Sequence, residues 1–225
     1  MICLFTAKGV NHMFYRPKNI GTALLLLLIS LCTASATKAD TVTLTGFGNT
    51  LWEGAPVGPY PGTLNGNSTS LLCVSYDRHV TAGVPFEVTI NALNPLGVSN
   101  ALYGPQLLGY QQAAWLYDQM LANPSETGDI HGAIWRLFTT GVPTTPGSDW
   151  WYNLATTDTA TLAMIQGYDF SRFRIVTPND RSINGQQEFL TTVPEPTTML
   201  LLGTGLAGVA ARARRRRKAV KTEEA

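Results

Sequence analysis

Residues 71–91 read LLCVSYDRHVTAGVPFEVTIN, and they decide the fold class. Leu71–Tyr76 is a short apolar run holding one cysteine, which predicts a buried strand. Asp77, Arg78 and His79 then form a polar rim at a turn, and Gly83 and Pro85 punctuate the chain. Residues 84–91, VPFEVTIN, alternate with a period of two, as a half-buried strand does. On the N-terminal side, Asp40–Phe47 alternates in the same way and predicts a first strand. Residues 53–70 are rich in Gly, Pro, Asn, Ser and Thr, so loops or short edge strands are expected there.

On the C-terminal side the period changes. Residues 110–121 place Ala114, Leu116, Tyr117, Met120 and Leu121 near one side of a helix. After Asn123-Pro124-Ser125, Thr127 or Asp129 is expected to cap a second helix carrying Ile130, Ala133, Ile134, Leu137 and Phe138, ended by Gly141. Pro and Gly at 143–147 lead to Trp150-Trp151-Tyr152, read as a loop anchored on the core. A weaker helix is expected over 157–165 and a closing strand over 170–177. Residues 179–192 read as a polar linker with little core-forming power. The expected fold is α+β: a mainly β body over 40–178 with a helical insertion, flanked by a signal peptide and a C-terminal transmembrane sorting helix. The body is long enough for one domain with a sizeable core and shows no internal repeat.

Both ends are basic. Residues 1–39 carry Arg16 and Lys18 before the apolar Ala23–Leu31, then Ala34-Ser35-Ala36 and Thr37-Lys38-Ala39, a secretory signal peptide with two cleavage options. Met13 is an alternative start. Cys32 fits a lipoprotein site poorly, because Ile29-Ser30-Leu31 lacks the usual small residues. The net charge of +1 hides a segregation: residues 40–211 hold five basic residues against thirteen acids. An acidic body argues against nucleic-acid partners. With the signal peptide removed, Cys73 is the one cysteine left, so no intramolecular disulfide is expected.

Residues 193–218 read VPEPTTMLLLGTGLAGVAARARRRRK. Pro194 and Pro196 favour an extended step around Glu195. As a helix, the apolar Met199–Ala211 stretch spans roughly 20 Å, short of the ~30 Å hydrocarbon core. Arg212, Arg214, Arg215, Arg216, Arg217 and Lys218 form a basic anchor for one membrane interface. Gly203, Gly205 and Gly208 match G-x-G-x-x-G by spacing but lack the strand–helix context of a dinucleotide site. The order Val193-Pro194-Glu195-Pro196, glycine-bearing apolar helix and Arg-rich end resembles the PEP-CTERM sorting signal. That resemblance implies export through a secretion translocon and signal peptidase, and a precursor held in the inner membrane. An exosortase would then process the chain near Val193–Pro196, leaving it at the cell surface or in a biofilm matrix. Residues 219–225 are a short extra tail.

Leu72-Cys73-Val74, taken with Ile130-His131-Gly132-Ala133-Ile134-Trp135, resembles the thioester domains of bacterial surface adhesins. In that family a Cys is crosslinked to a Gln at the second position of an apolar-Gln-x-x-apolar-Trp helix. Cys73, Ile130, Ile134 and Trp135 match, but His131 stands at the Gln position. Imidazole has no carboxamide carbon, so a Cys73–His131 thioester is chemically impossible. Gln111 or Gln112 is an alternative partner that the sequence does not place near Cys73. A Cys73–His131 thiol–imidazole pair is a further alternative, without protease context. His79, His131 and Cys73 have no compact metal-ligand spacing, and Glu126 and Asp129 read as helix-dipole acids. No catalytic residue, metal or cofactor is expected, and the protein is read as no enzyme. The expected function is structural or adhesive, with exopolysaccharide or a surface protein as partner. The alternatives are a covalent thioester adhesin using another Gln, a cysteine-dependent enzyme, or a carbohydrate-binding module stacking on Trp52, Trp150 and Trp151.

Overall fold

The computed structural model describes residues 39–193. Six antiparallel strands close a barrel: β1 (Asp40–Leu44), β4 (Tyr60–Leu64), β5 (Asn67–Cys73), β6 (Phe86–Ala92), β7 (Phe173–Pro178) and β8 (Phe189–Thr192), in the order β1-β4-β5-β8-β7-β6. Two further short strands, β2 (Leu51–Trp52) and β3 (Ala55–Pro56), pair with each other between β1 and β4. The β6–β7 connection holds every α-helix of the described residues: α1 (Pro95–Val98), α2 (Leu107–Ala122), α3 (Thr127–Arg136), α4 (Pro146–Thr156) and α5 (Thr159–Gln166), with a single 3-10 turn at Pro124–Glu126 before α3.

The strand alternation divides two cores. Val42, Leu44, Tyr60, Leu71, Cys73, Phe86, Val88, Val176 and Phe189 pack together inside the barrel. Leu72, Val74, Phe173, Ile175 and Leu190, from the opposite faces of β5, β7 and β8, pack on the helices. These strands are covered on both sides, and that is why Leu71–Val74 is apolar without interruption. At Gly62 a Cβ would meet Leu71 Cδ1 at 2.7 Å, so the glycine makes room for that side chain. Inside the helical layer, α2 buries Tyr110, Ala113, Ala114, Trp115, Leu116, Tyr117 and Met120 between the barrel and the other helices.

Several expectations are corrected. Within 53–70, expected as loops or short edge strands, residues 60–64 and 67–70 belong to a long hairpin whose second strand continues into the expected strand at Leu71–Cys73; Asn65 (φ 54°) and Gly66 (φ 81°) turn it. Asn-Gly with both residues at positive φ is the favoured two-residue hairpin turn. The expected linker ends in β8, whose Phe189 and Leu190 are fully buried and pair with both β5 and β7. The 143–152 loop is in part a helix: Pro146 opens α4, and Thr145 and Ser148 exchange side-chain bonds in a capping box. Neither Thr127 nor Asp129 caps α3, since Thr127 Oγ1 donates to Pro124 O and Asp129 accepts from other side chains.

The expected transmembrane helix is corrected as well. Among the described residues no helix is long and apolar enough to cross a membrane. The membrane keywords and the inner-membrane precursor stage built on that helix therefore find no support among the described residues. Met199–Ala211, the basic residues 212–218, Pro194, Glu195, Pro196 and the signal peptide lie outside the described residues.

Candidate functional site

Cys73 ends β5 with its side chain inside the barrel, fully buried. Its thiol donates to Ser75 O at 3.1 Å. Burial pushes the thiol pKa up to about 12, and the nearby charges of Asp77 and Glu188 push the same way. A thiol of that kind is protonated at neutral pH and is a poor nucleophile.

His131 reaches it from α3. This helix packs closely on β2 because Gly128 and Gly132 leave room for the Trp52 indole. A Cβ at those positions would come within 2.7 and 2.5 Å of the ring. Trp52 Nε1 donates to Asp129 Oδ1 at 3.0 Å and closes the contact. Ile130, Ala133 and Ile134 are fully buried in the helical core, which turns His131 toward the end of β5. The backbone N–H of Gly58 donates to His131 Nδ1 at 3.1 Å, so Nε2 carries the proton and donates to Cys73 O at 2.8 Å. Burial lowers the His131 pKa to about 4, and the ring is neutral.

The structure therefore brings the two motif residues together through the wrong atom for thiol chemistry. Imidazole holds the cysteine's carbonyl oxygen, not its sulfur, and both ring nitrogens are committed. Gln112 is held by Ala155 O at 2.8 Å. Gln187, which the sequence reading passed over, is the glutamine beside Cys73: its Nε2 donates to Ser75 O, the same oxygen the thiol uses, and to Arg78 O at 2.6 Å. Among the described residues no group of three or more His, Cys, Asp or Glu side chains is placed to hold a metal ion.

Glu188 was also missed. It is a fully buried carboxylate in the residues read as linker. Thr177 Oγ1 and Leu102 N each donate to its Oε1 at 2.7 Å, and the Tyr110 hydroxyl donates to Oε2. Burial raises its pKa above the usual carboxylate range despite those donors. Two of the three tryptophans read as stacking surfaces serve the core instead. Trp52 is packed on α3, and Trp151 donates to Glu126 Oε2 at 2.7 Å, while Trp150 is 56% exposed.

Just past the end of β5, at Ser75–Val80, opens a cavity of about 690 Å³. Its aromatic wall is Phe47, Tyr60, Tyr76 and Trp135, and Thr139 and Gln187 are among its polar residues. The Trp135 ring stacks on His131 with centroids 4.2 Å apart and on Tyr76 at 5.1 Å. Trp135 Nε1, Thr139 Oγ1 and Gln187 Oε1 are buried without a hydrogen-bond partner, and all three residues line this cavity. The Trp135 N–H lies near enough to the Cys73 sulfur to draw its pKa down but does not meet hydrogen-bond geometry. Thr139 stands in the same relation to the Tyr103 hydroxyl.

The last barrel strand leads directly into the C-terminal stretch. β8 ends at Thr192, and Val193 N still donates to Arg172 O at 2.8 Å. Residues 192–216 match the family model described as the PEP-CTERM protein-sorting motif. The chain carries a PEP-CTERM sorting motif. The motif marks the protein for export and for sorting by an exosortase-type system, with the surface or the extracellular space as destination. No curated protein and no solved structure matches the chain.

Proposed function

We propose that this is a non-enzymatic exported protein whose barrel-and-helix body makes structural or adhesive contacts at the cell surface or in the extracellular matrix. The PEP-CTERM motif carries the reading, because it follows the last barrel strand with no intervening spacer. The state of Cys73 supports it. A thiol raised to about 12 and a neutral imidazole bound to a backbone carbonyl are poor equipment for either covalent adhesion or cysteine catalysis. The translocon and signal peptidase act on the N-terminus, and exopolysaccharide or a surface protein is the partner class.

Intact mass of the protein recovered from fractionated native cells tests the reading. The expected species lacks the N-terminal signal and the Arg-rich end but retains Thr192, since a cut upstream would remove β8 from the barrel. An unprocessed Arg tail on a cytoplasmic protein would overturn the proposal. Loss of about 17 Da as ammonia, abolished by Cys73→Ala, would replace the non-covalent reading with a thioester.

A further inference from the structure

β8 is the shortest strand of the barrel and the last, and its two neighbours hold it unequally. On one side it pairs with β7 along its whole length, from Phe189 opposite Val176 to Thr192 opposite Phe173. Val193 extends that ladder by donating its N–H to Arg172 O at 2.8 Å. On the other side β5 runs from Asn67 to Cys73, yet only Leu72 and Cys73 pair with β8. Beyond them side chains take over the seam. Thr191 Oγ1 donates to Ser70 O at 2.8 Å, so in its 2.7 Å contact with Thr69 Oγ1 it accepts. Phe189, Leu190 and Thr191 are buried, whereas Val193 is 36% exposed.

The residue that holds Val193 is itself held. The Arg172 guanidinium pairs with Asp118 of α2, and the Tyr168 hydroxyl donates to the same carboxylate oxygen. The guanidinium carbon also lies 4.9 Å from the centre of the Phe173 ring. A processing enzyme that takes its substrate as an extended strand needs free backbone groups on both sides of the bond it cuts. From Phe189 to Val193 those groups are committed to the barrel. A cut there proceeds through a locally opened form, and its rate follows the population of that form.

We propose that the Asp118–Arg172 clamp and the Thr69–Thr191 contact form a gate at the entry to the sorting motif. They close the chain to cutting as far as Val193, so the fold sets the earliest C-terminus that the mature protein can have. Asp118 and Thr191 are positioning residues, one acting through Arg172 and the other through β5. The use of the gate rests on the reading that the motif directs processing, while the barrier itself belongs to the folded body. A chain that is never sorted would still protect β8, and a correctly sorted chain with an open β8 would refute this proposal alone.

Timed digestion of the purified full chain by dilute proteinase K, with products read by intact mass, gives the test. Wild-type products should end at Val193 or beyond well before any cut appears within Phe189–Val193. Asp118→Ala should speed the cuts in that stretch about fivefold, as loss of a partly exposed ion pair would. Thr191→Val should speed them by a smaller factor, and in both variants cuts elsewhere in the body should keep their wild-type rate. Asp149→Ala removes the other ion pair of the described residues, Arg136–Asp149, and should leave the β8 cuts unchanged. Early cutting within Phe189–Val193 in the wild type overturns the proposal. So does an unchanged rate in Asp118→Ala or Thr191→Val, an equal acceleration across the whole body, or faster β8 cutting in Asp149→Ala.

Discussion

His131, Trp135 and Thr139 follow one another at four-residue spacing, and the polar atoms at the two ends of that line meet opposite fates. Both nitrogens of His131 are bonded, one to Gly58 N and one to Cys73 O. Trp135 and Thr139 each bury a polar atom with no partner. The first region is a finished joint: a neutral imidazole ties the β3–β4 connection to the end of β5 across the helix. The second is unfinished by the chain itself. Saturated polar groups stabilise a fold, and unsatisfied ones cost it stability unless something else completes them.

Removing the joint gives the largest expected effect. His131→Leu leaves the Gly58 N–H and the Cys73 carbonyl buried and unpaired, at a cost of about 3–4 kcal/mol from two such groups. Chemical denaturation of the full chain measures it. A loss below about 1 kcal/mol would mean that those backbone groups find other partners and that the joint is dispensable.

Acid acts on the same residue from the proton side. The His131 pKa is about 4 in the fold against 6.5 in the unfolded chain, so the unfolded state binds more protons between those values. Its contribution is complete above pH 6.5 and is lost as the pH falls toward 4, about 3 kcal/mol in all. Glu188 has the opposite sign. Its raised pKa means that the folded state holds the extra proton, so its contribution falls as the pH rises through the carboxylate range and beyond. The stability–pH curve of Glu188→Gln should therefore drop more steeply on acidification than that of the wild type, and that of His131→Leu should be flatter. Superimposable curves for all three would refute both assignments.

A smaller effect is expected where α3 meets Trp52. In Gly132→Ala, the added Cβ lies 2.5 Å from the indole, against a gain of about 1 kcal/mol in helix propensity. A net loss of about 1–2 kcal/mol follows if the ring cannot shift. A more stable variant would show that Trp52 gives way and does not fix the helix.

The joint was more legible in the sequence than the cavity, for physical reasons. Ile130, Ala133 and Ile134 declare a buried helix face by their spacing, and His131 sits inside that face. The tautomer of the imidazole was not visible, because it is set by Gly58, which comes from a loop 73 positions earlier in the chain. The hairpin was signalled by Asn65-Gly66 but hidden by the polar composition around it, since one face of Asn67–Ser70 is solvated. Glu188 and Gln187 sat in a segment too polar to read as barrel. Phe189 and Leu190, only two apolar residues, complete β8 because β5 and β7 flank them. The cavity's polar atoms come from the end of α3 and from that misread segment, and no local pattern joins the two.

The smallest effect separates the two regions most cleanly, because its sign is opposite to that of the first. Thr139→Val replaces an unpartnered hydroxyl with a methyl of similar size. If Thr139 Oγ1 is unsatisfied in the free protein, the variant gains stability, by up to about 1 kcal/mol. Loss of stability would mean that the hydroxyl already has a partner, most simply the Tyr103 oxygen beside it, and the contrast with His131 would disappear.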